Sequence, residues 1–240
     1  EIVGLGGLVG AYQETQQLLD YHYEEGGLEL LREAYEPFGL YPIGITTWGA
    51  ESLPLMQPVE SPAELKGLKL RMSKGMFSDV FAAFGATPIE MAGTEVYSAL
   101  DKGVVDGADW GTLSMNEELG FHDIADYAIY PSVHSMSIAD VSIRKEVWDS
   151  LSPELQATLR EAVRAFADDM ATTMANKDEE AAERLREKGT TLINWSDEDK
   201  QTFRDAAAEV WKNYASRSEL AERALQSQLD YMRKIGLLNE

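Results

Sequence analysis

The chain has 240 residues, 44% of them hydrophobic, and its 42 acidic and 21 basic residues give a formal net charge of -21. This length can bury a sizeable core in one large or two small domains, and a field of this sign repels nucleic acid and anionic membrane surfaces. There is no cysteine, which excludes disulfides, cysteine nucleophiles and thiolate metal sites. No apolar run approaches the roughly 20 residues that span a bilayer, so no direct membrane insertion is expected.

The N-terminal quarter of the chain predicts helix followed by a buried strand. Residues 13–38 have a helical pattern that is interrupted at Gly26. Residues 40–48, LYPIGITTW, are apolar and β-branched, as in a buried strand. The proline-containing residues 54–62 are typical of a connector.

The next segment predicts alternating strands and helices. Strands at residues 68–72 and 87–91 alternate with helices at residues 77–84 and 94–102, and a third strand covers residues 104–110. This alternation predicts a parallel or mixed sheet flanked by helices. Because open α/β sheets bind ligands at the carboxyl ends of their strands, the end of the third strand is a candidate binding position.

The second half of the chain is predicted to be mainly helical. A helix is expected at residues 117–127, and then a strand at residues 128–144 with His134 in its middle. A serine and proline capping signal begins a helix at residue 153 that continues to about Lys188. Two shorter helices follow, at residues 197–214 and 218–235.

Arg71 is the candidate anion-binding residue, at the end of a predicted strand. Its planar guanidinium offers paired donors that match the two oxygens of a carboxylate. The alternative is that Arg71 pairs with a surface acid, as most arginines do. In so acidic a chain, an anion site needs local positive polarity from Arg71 and from backbone N–H groups at helix starts. The pattern therefore points to a binder of small organic anions.

Two neighbouring motifs carry a resemblance to a known family. The first, ELKGLKLR, covers residues 64–71. The second begins with GATPIEM at residues 85–91 and ends with GVVDG at residues 103–107. In this order and spacing they resemble the solute-binding subunits of tripartite ATP-independent periplasmic (TRAP) transporters, the DctP-like family. The likeness continues through Trp148 into the helical C-terminal half, so it covers nearly the whole chain.

The resemblance implies an α/β, two-lobed periplasmic-binding-protein-like fold with a long lobe-spanning helix. Lobe I is expected to comprise residues 1–47 and 137–175, and lobe II residues 48–136 with the carboxylate-binding arginine. Residues 176–240 are expected to form C-terminal helices that pack on the lobes. Family members normally begin with a signal sequence and a further part of the first lobe, so the N-terminal lobe is expected to be incomplete here.

The function that the resemblance implies is solute capture for transport. The chain is expected to be a periplasmic receptor that binds a small organic acid in an inter-lobe cleft and delivers it to the membrane subunits of a TRAP transporter. Neither enzymatic activity nor a nucleic-acid partner is expected. A carboxylate-sensing protein that serves a receptor, and a hydrolase that uses paired carboxylates, are the alternatives. The three histidines lack HxxxH or HExxH spacing, which argues against a zinc hydrolase.

The resemblance and the residue chemistry together give six expected ligand-binding residues: Arg71, Trp110, Asp109, Trp48, Glu51 and His134. The family arginine holds the ligand carboxylate, and this role falls to Arg71. Trp110 offers a flat apolar wall and one N–H donor, with core packing as its alternative. Glu51 stands where some acid-sugar binders place a second arginine, which argues against a ligand with two clamped anionic groups; it is equally compatible with an exposed side chain. Trp48 and His134 are each compatible with a place in the pocket wall and with packing in the core.

Asp109 has three open interpretations: a solvated carboxylate, a cap of the next helix, or a cation ligand. The Asp109–Trp110 pair resembles the Glu-Trp pair of a keto-acid and hydroxy-acid branch, which takes part in holding a metal ion that bridges to the substrate. Oxygen donors suit a hard cation such as Na⁺ or Ca²⁺. That branch has an acidic residue just after a histidine, whereas Ser135 follows His134 here. The sequence therefore predicts no cofactor and no metal ligand, and leaves open a Na⁺ or Ca²⁺ ion between Asp109 and the ligand.

Overall fold

Residues 6–238 are the part of the chain that the computed structural model describes. They form two compact units, and both units contain helices and strands. The described residues of unit 1 are 6–49, 136–173 and 211–238, and those of unit 2 are 50–135 and 174–210. The α/β class and the two-lobed organisation predicted from the sequence are confirmed.

Short strands and helices alternate in the first half of the described chain, and long helices dominate the second. The first half contains, in chain order, α1 (Thr15–Glu24), α2 (Gly27–Tyr35), β1 (Leu40–Ala50), β2 (Leu53–Leu55), β3 (Lys69–Arg71), α3 (Met76–Ala83), β4 (Thr87–Ile89), α4 (Val96–Asp101) and β5 (Gly107–Ala108). The second half contains α5 (Leu113–Glu118), β6 (Tyr127–Ile129), β7 (Met136–Arg144), α6 (Lys145–Ser150), α7 (Pro153–Lys188), β8 (Thr191–Ile193), α8 (Asp197–Ala215) and α9 (Glu219–Lys234).

Unit 2 is organised around a six-stranded mixed sheet of order β4-β3-β5-β2-β6-β8. Strand β3 runs parallel to β4 and to β5, and β6 runs parallel to β8. Strand β2 runs antiparallel to both of its neighbours, β5 and β6. A two-stranded sheet of β1 and β7 lies in unit 1. The parallel or mixed sheet predicted from the alternation is therefore a mixed one.

Close packing at the centre of the unit 2 sheet requires a glycine at position 107. Leu70 on β3 and Ala108 on β5 are both fully buried. A Cβ atom at Gly107 would lie 2.7 Å from Cδ2 of Leu55 and 2.9 Å from the carbonyl oxygen of Pro54. Real Cβ atoms do not approach backbone so closely, so only glycine lets β5 pair with β2 at this register.

Helix α7 extends over 36 residues and takes part in both units. Ala167 is buried in a core cluster of unit 1. Ala181 and Leu185 are buried in a core cluster of unit 2. The bounds predicted from the capping signal and the periodicity agree with the observed helix, Pro153–Lys188. The long helix shared by the two lobes is thus confirmed.

The prediction of a helix at residues 117–127 is wrong. Helix α5 ends at Glu118, and β6 already begins at Tyr127. Gly120 has a left-handed φ of 75°, a conformation that ends helices. Phe121, which is 2% exposed, then enters the core. The apolar spacing of this segment therefore reflects a buried turn and not a helical face.

The strand predicted at residues 128–144 is in fact two strands, β6 and β7, and His134 lies in the loop between them. Pro131 has no N–H to donate to a strand ladder, so pairing does not continue through it. The sequence also missed β2, α6 and β8. Strand β2 escaped prediction because Pro54 argues against a central strand, yet Pro54 pairs with Ala128 inside the sheet.

His22 on α1 is fully buried in unit 1. Neither of its ring nitrogens has a hydrogen-bond partner among the described residues. Burial lowers the pKa of His22 to about 4, because the charged imidazolium would lose its hydration. The unfolded chain titrates this group near its ordinary value of about 6.5, so it takes up the proton first. The contribution of neutral His22 to the free energy of unfolding is therefore fully present above a pH of about 6.5. It decreases as the pH falls from there towards 4.

Replacing His22 by leucine should flatten the acid side of the stability profile. Wild type is expected to lose up to about 3 kcal/mol of unfolding free energy between pH 7 and pH 4 through this one group. Urea denaturation of wild type and His22→Leu at both pH values measures the difference. Gln16→Leu, at an exposed position of the same helix, is the control and should lose as much unfolding free energy between the two pH values as wild type. The same loss in His22→Leu would contradict the role of His22 in the acid dependence.

Candidate functional site

Five of the six predicted site residues lie in unit 2. Arg71 is the last residue of β3, Asp109 and Trp110 directly follow β5, and Glu51 directly follows β1. His134 lies in the loop before β7. The sixth residue, Trp48, lies on β1 in unit 1, where it is half-buried, and its role stays a prediction.

The parallel pairing of β3 with β5 places Arg71 beside Asp109 and Trp110. In this register Arg71 lies opposite Ala108, and the backbone N–H of Asp109 donates to the carbonyl oxygen of Arg71 at 2.8 Å. Both strands therefore end at the same edge of the sheet. This is the edge at which open α/β folds commonly bind ligands.

The guanidinium of Arg71 is held by backbone oxygens and by an aromatic ring. Nη1 donates to the carbonyl oxygen of Asp109, and Nη2 lies 3.5 Å from the carbonyl oxygen of Met91. Cζ lies 4.9 Å from the centre of the Trp110 ring, within cation–π range. Nε is buried and has no hydrogen-bond partner among the described residues. Within this part of the chain Arg71 makes no ion pair, which argues against the surface-pair alternative.

Glu51, Asp109 and His134 form a buried cluster whose members are 5%, 3% and 1% exposed. One oxygen of each carboxylate and one ring nitrogen of His134 lie within 4.8 Å of one another. Nε2 of His134 is 3.1 Å from Oδ1 of Asp109, and Oγ of Ser135 donates to Oε2 of Glu51 at 2.8 Å. The alternatives of an exposed Glu51 and a solvated Asp109 are therefore wrong.

His134 is buried and packs in the core of unit 2, and its role as a pocket wall stays a prediction. Its ring packs edge-on against Phe81 with ring centres 5.5 Å apart. Its Nδ1 lies 3.4 Å from Oγ of Ser132, on the opposite side of the ring from Asp109. Packing thus fixes the imidazole plane, and the two polar neighbours fix which nitrogen faces the carboxylate.

The donor set of this cluster decides which cation it fits. Two buried carboxylates in close proximity are unfavourable unless positive charge compensates them. The oxygens of Glu51 and Asp109 suit a hard cation such as Na⁺ or Ca²⁺, which would need further oxygen ligands from the solute or from water. The nitrogen of His134 is a poor ligand for these ions and is already directed at Asp109. Glu51 and Asp109 are therefore the residues that fit the cation.

Several residues that shape the site escaped the sequence analysis. Met91 contacts Arg71 through its backbone oxygen, so the type of its side chain does not indicate this contact. Asn116 donates through Nδ2 to the carbonyl oxygens of Ser52 and Gly111, which ties the chain after Glu51 to the chain after Trp110. Its contacts depend on tertiary proximity, which a single polar residue in a sequence does not reveal.

No helix within residues 6–238 combines the length and the apolar character needed to cross a membrane.

The family model described as "Bacterial extracellular solute-binding protein, family 7" (DctP) matches residues 11–218. The monocarboxylate 2-oxoacid-binding periplasmic protein of a Nostoc species is 28% identical over 207 residues, which is 85% of this chain and 56% of that protein. The chain thus spans little more than half the length of the curated relatives it matches.

Solved structures show the same similarity. The apo, open structure of a TRAP periplasmic solute-binding protein from Rhodobacter sphaeroides has 38% identity and a TM-score of 0.86, and covers 98% of this chain and 75% of that one. A TRAP periplasmic solute-binding protein from Pseudoalteromonas atlantica with bound sodium and pyruvate has 23% identity and a TM-score of 0.79, covering 96% and 70%. The similarity predicted from the two motifs is confirmed, and its relatives are periplasmic proteins. The chain belongs to the DctP family of bacterial extracellular solute-binding proteins.

Proposed function

We propose that the chain captures a small organic acid in the periplasm for a TRAP-type transporter, and that Arg71 in unit 2 binds the ligand carboxylate. Delivery to two membrane subunits is part of this proposal. Family membership supports the solute-binding role. The arrangement around Arg71 supports the choice of ligand class.

The observation that carries the proposal is the buried Nε–H of Arg71, which has no acceptor among the described residues. An unsatisfied buried donor costs about 1–3 kcal/mol, and more when it is charged. A carboxylate that approaches Nε and Nη2 side by side would satisfy it and would form the two-pronged pair that arginine favours. Nη2 can take part because its 3.5 Å contact with Met91 is long and weak.

Monocarboxylates fit this site better than dicarboxylates. Arg71 is the only arginine or lysine among the six predicted site residues. Glu51 and Asp109 are buried acids that would repel a second anionic group. The half-buried Trp110 offers an apolar wall for a short aliphatic or aromatic tail. The name of the Nostoc relative, a 2-oxoacid-binding protein, supports the same class of ligand.

A cation bound by Glu51 and Asp109 is the second element of the proposal. Their oxygens lie within 4.8 Å of each other in a buried cluster. A cation there would offset the two carboxylates and attract a keto or hydroxy oxygen of the ligand. The bound sodium of the Pseudoalteromonas protein belongs to that protein, but it makes the same chemistry a reasonable test for this chain.

The two alternatives are less well supported. A carboxylate-pair hydrolase could use Glu51 and Asp109, but Ser135 and His134 already engage these carboxylates, and the family is one of solute-binding proteins. A sensory protein would share the binding site and differ only in its partner. Genes for two membrane subunits next to this gene would favour transport over sensing.

A thermal-shift screen should find stabilising ligands among monocarboxylates. Pyruvate, lactate, 2-oxobutyrate and phenylpyruvate are expected to raise the melting temperature, whereas succinate, glucuronate, neutral sugars and amines are not. The single arginine and the two buried acids are the physical reason. Stabilisation by glucose or an amine without any response to acids would refute the ligand class.

Replacing Arg71 by alanine should abolish binding of the acids found in the screen. Losing one partner of a desolvated charge pair typically costs about 2–5 kcal/mol, or roughly 30-fold to several thousand-fold in affinity. Arg71→Lys should also bind poorly, because an ammonium does not reproduce the two-pronged geometry. Isothermal titration calorimetry measures all variants.

Lys69→Ala is the matched control for Arg71→Ala. Lys69 is exposed on the same strand and carries the same charge, so its loss reports the effect of net charge and of local perturbation. It should bind with wild-type affinity. Near-native binding by Arg71→Ala would remove the anchor from the proposed site.

Removing cations should weaken pyruvate binding at least tenfold. Calorimetry in tetramethylammonium buffer with EDTA, and then after addition of excess NaCl or CaCl₂, makes the comparison. Restored affinity is expected in wild type, and no cation response is expected in Glu51→Gln, which retains hydrogen-bonding oxygen but loses the charge. Equal pyruvate affinity in all buffers would exclude the cation.

A further inference from the structure

The part of the chain between β4 and α4 lies against the Trp110 indole. Gly93 begins a one-turn 3₁₀ helix, Gly93–Glu95. A Cβ atom built on Gly93 would lie 1.8 Å from Cη2, 2.1 Å from Cζ3 and 2.9 Å from Cζ2 of Trp110. Real atoms do not approach this closely, so no other amino acid fits at position 93 while the indole keeps its place.

Backbone conformation is not the reason for this glycine. Gly93 is absent from the glycines of positive φ in the described chain, so an L-residue could adopt its backbone angles. The requirement is purely one of space, and Trp110 creates it. Glycines at ordinary helical angles are otherwise unfavourable, because they increase the conformational freedom of the unfolded chain.

The backbone around Gly93 is held on both sides, so the indole is the part that would move. Oε2 of Glu95 accepts a hydrogen bond from the backbone N–H of Ala92 at 3.2 Å, which closes the turn. Before the turn, β4 pairs with β3 up to Ile89. After it, Val96 is fully buried in the cluster against which Trp110 packs.

The same segment also reaches Arg71. The carbonyl oxygen of Met91 lies 3.5 Å from Nη2 of Arg71, and Trp110 stacks at 4.9 Å from its Cζ. A displacement of the ring large enough to relieve a 1.8 Å contact would change the geometry of this stack. Gly93 therefore controls where the indole lies relative to the guanidinium.

We propose that Gly93 is a positioning residue for the anion site: its missing side chain lets Trp110 lie over Arg71 and form the apolar wall that meets the tail of the bound acid. The effect of Gly93 on ligand choice rests on the proposed function. Its coupling to Trp110 does not, because that coupling concerns only the protein itself.

A double-mutant cycle measures the coupling without any ligand. Gly93→Ala should lower the urea midpoint of wild type, and the same change should have little effect in a Trp110→Ala background, where the new methyl group has room. Thr94→Ala, at an exposed position of the same turn, is the control and should leave the midpoint unchanged. Equal losses in the two backgrounds would overturn the assignment.

Ligand titrations separate a positioning role from a merely structural one. With pyruvate and phenylpyruvate as probes, Gly93→Ala should bind both acids at least tenfold more weakly and should change the ratio of their affinities, since the wall moves. A folded Gly93→Ala with wild-type affinities would overturn the positioning role. If neither acid binds wild type, the proposed function fails, and the unfolding cycle still decides the Gly93–Trp110 coupling.

Discussion

The candidate site depends on one backbone pairing, that of β3 with β5. The hydrogen bond from the N–H of Asp109 to the carbonyl oxygen of Arg71 holds the ends of these two strands side by side. Without it, the guanidinium would have neither the carbonyl of Asp109 nor the ring of Trp110 as a neighbour. Glycine is the only residue type that fits at position 107 of β5, between β2 and β3. Packing in the centre of the sheet therefore sets the geometry of the site.

The electrostatics of the site contrast with those of the chain as a whole. A protein with a net charge of -21 repels anions at long range. The proposed anion site therefore relies on short-range donors in a desolvated place, where a charge-assisted hydrogen bond is strong and solvent screening is weak. In this proposal Arg71 provides those donors, while Glu51 and Asp109 contribute buried negative charge to the same site. A bound cation is the proposed compensation for these two buried carboxylates.

Hydrogen bonds between distant segments keep the polar groups in register. Asn116 connects the chain after β1 to the chain after β5, and Ser135 connects to Glu51 through both its side chain and its carbonyl oxygen. Such contacts restrict the motion of these side chains. Preorganisation of this kind would reduce the ordering entropy that binding at the proposed site must overcome.

Sequence alone determined the family, the α/β class and the bounds of α7, because motif order and helical periodicity are properties of consecutive residues. It also singled out Arg71 from its guanidinium chemistry and its place in the motif ELKGLKLR. Only the tertiary structure decided that Glu51 is buried, that His134 lies in a loop facing Asp109, and that Gly93 lies against Trp110. Each of these facts depends on residues that are distant in the chain. Their proximity results from sheet pairing and core packing, which local sequence patterns do not reveal.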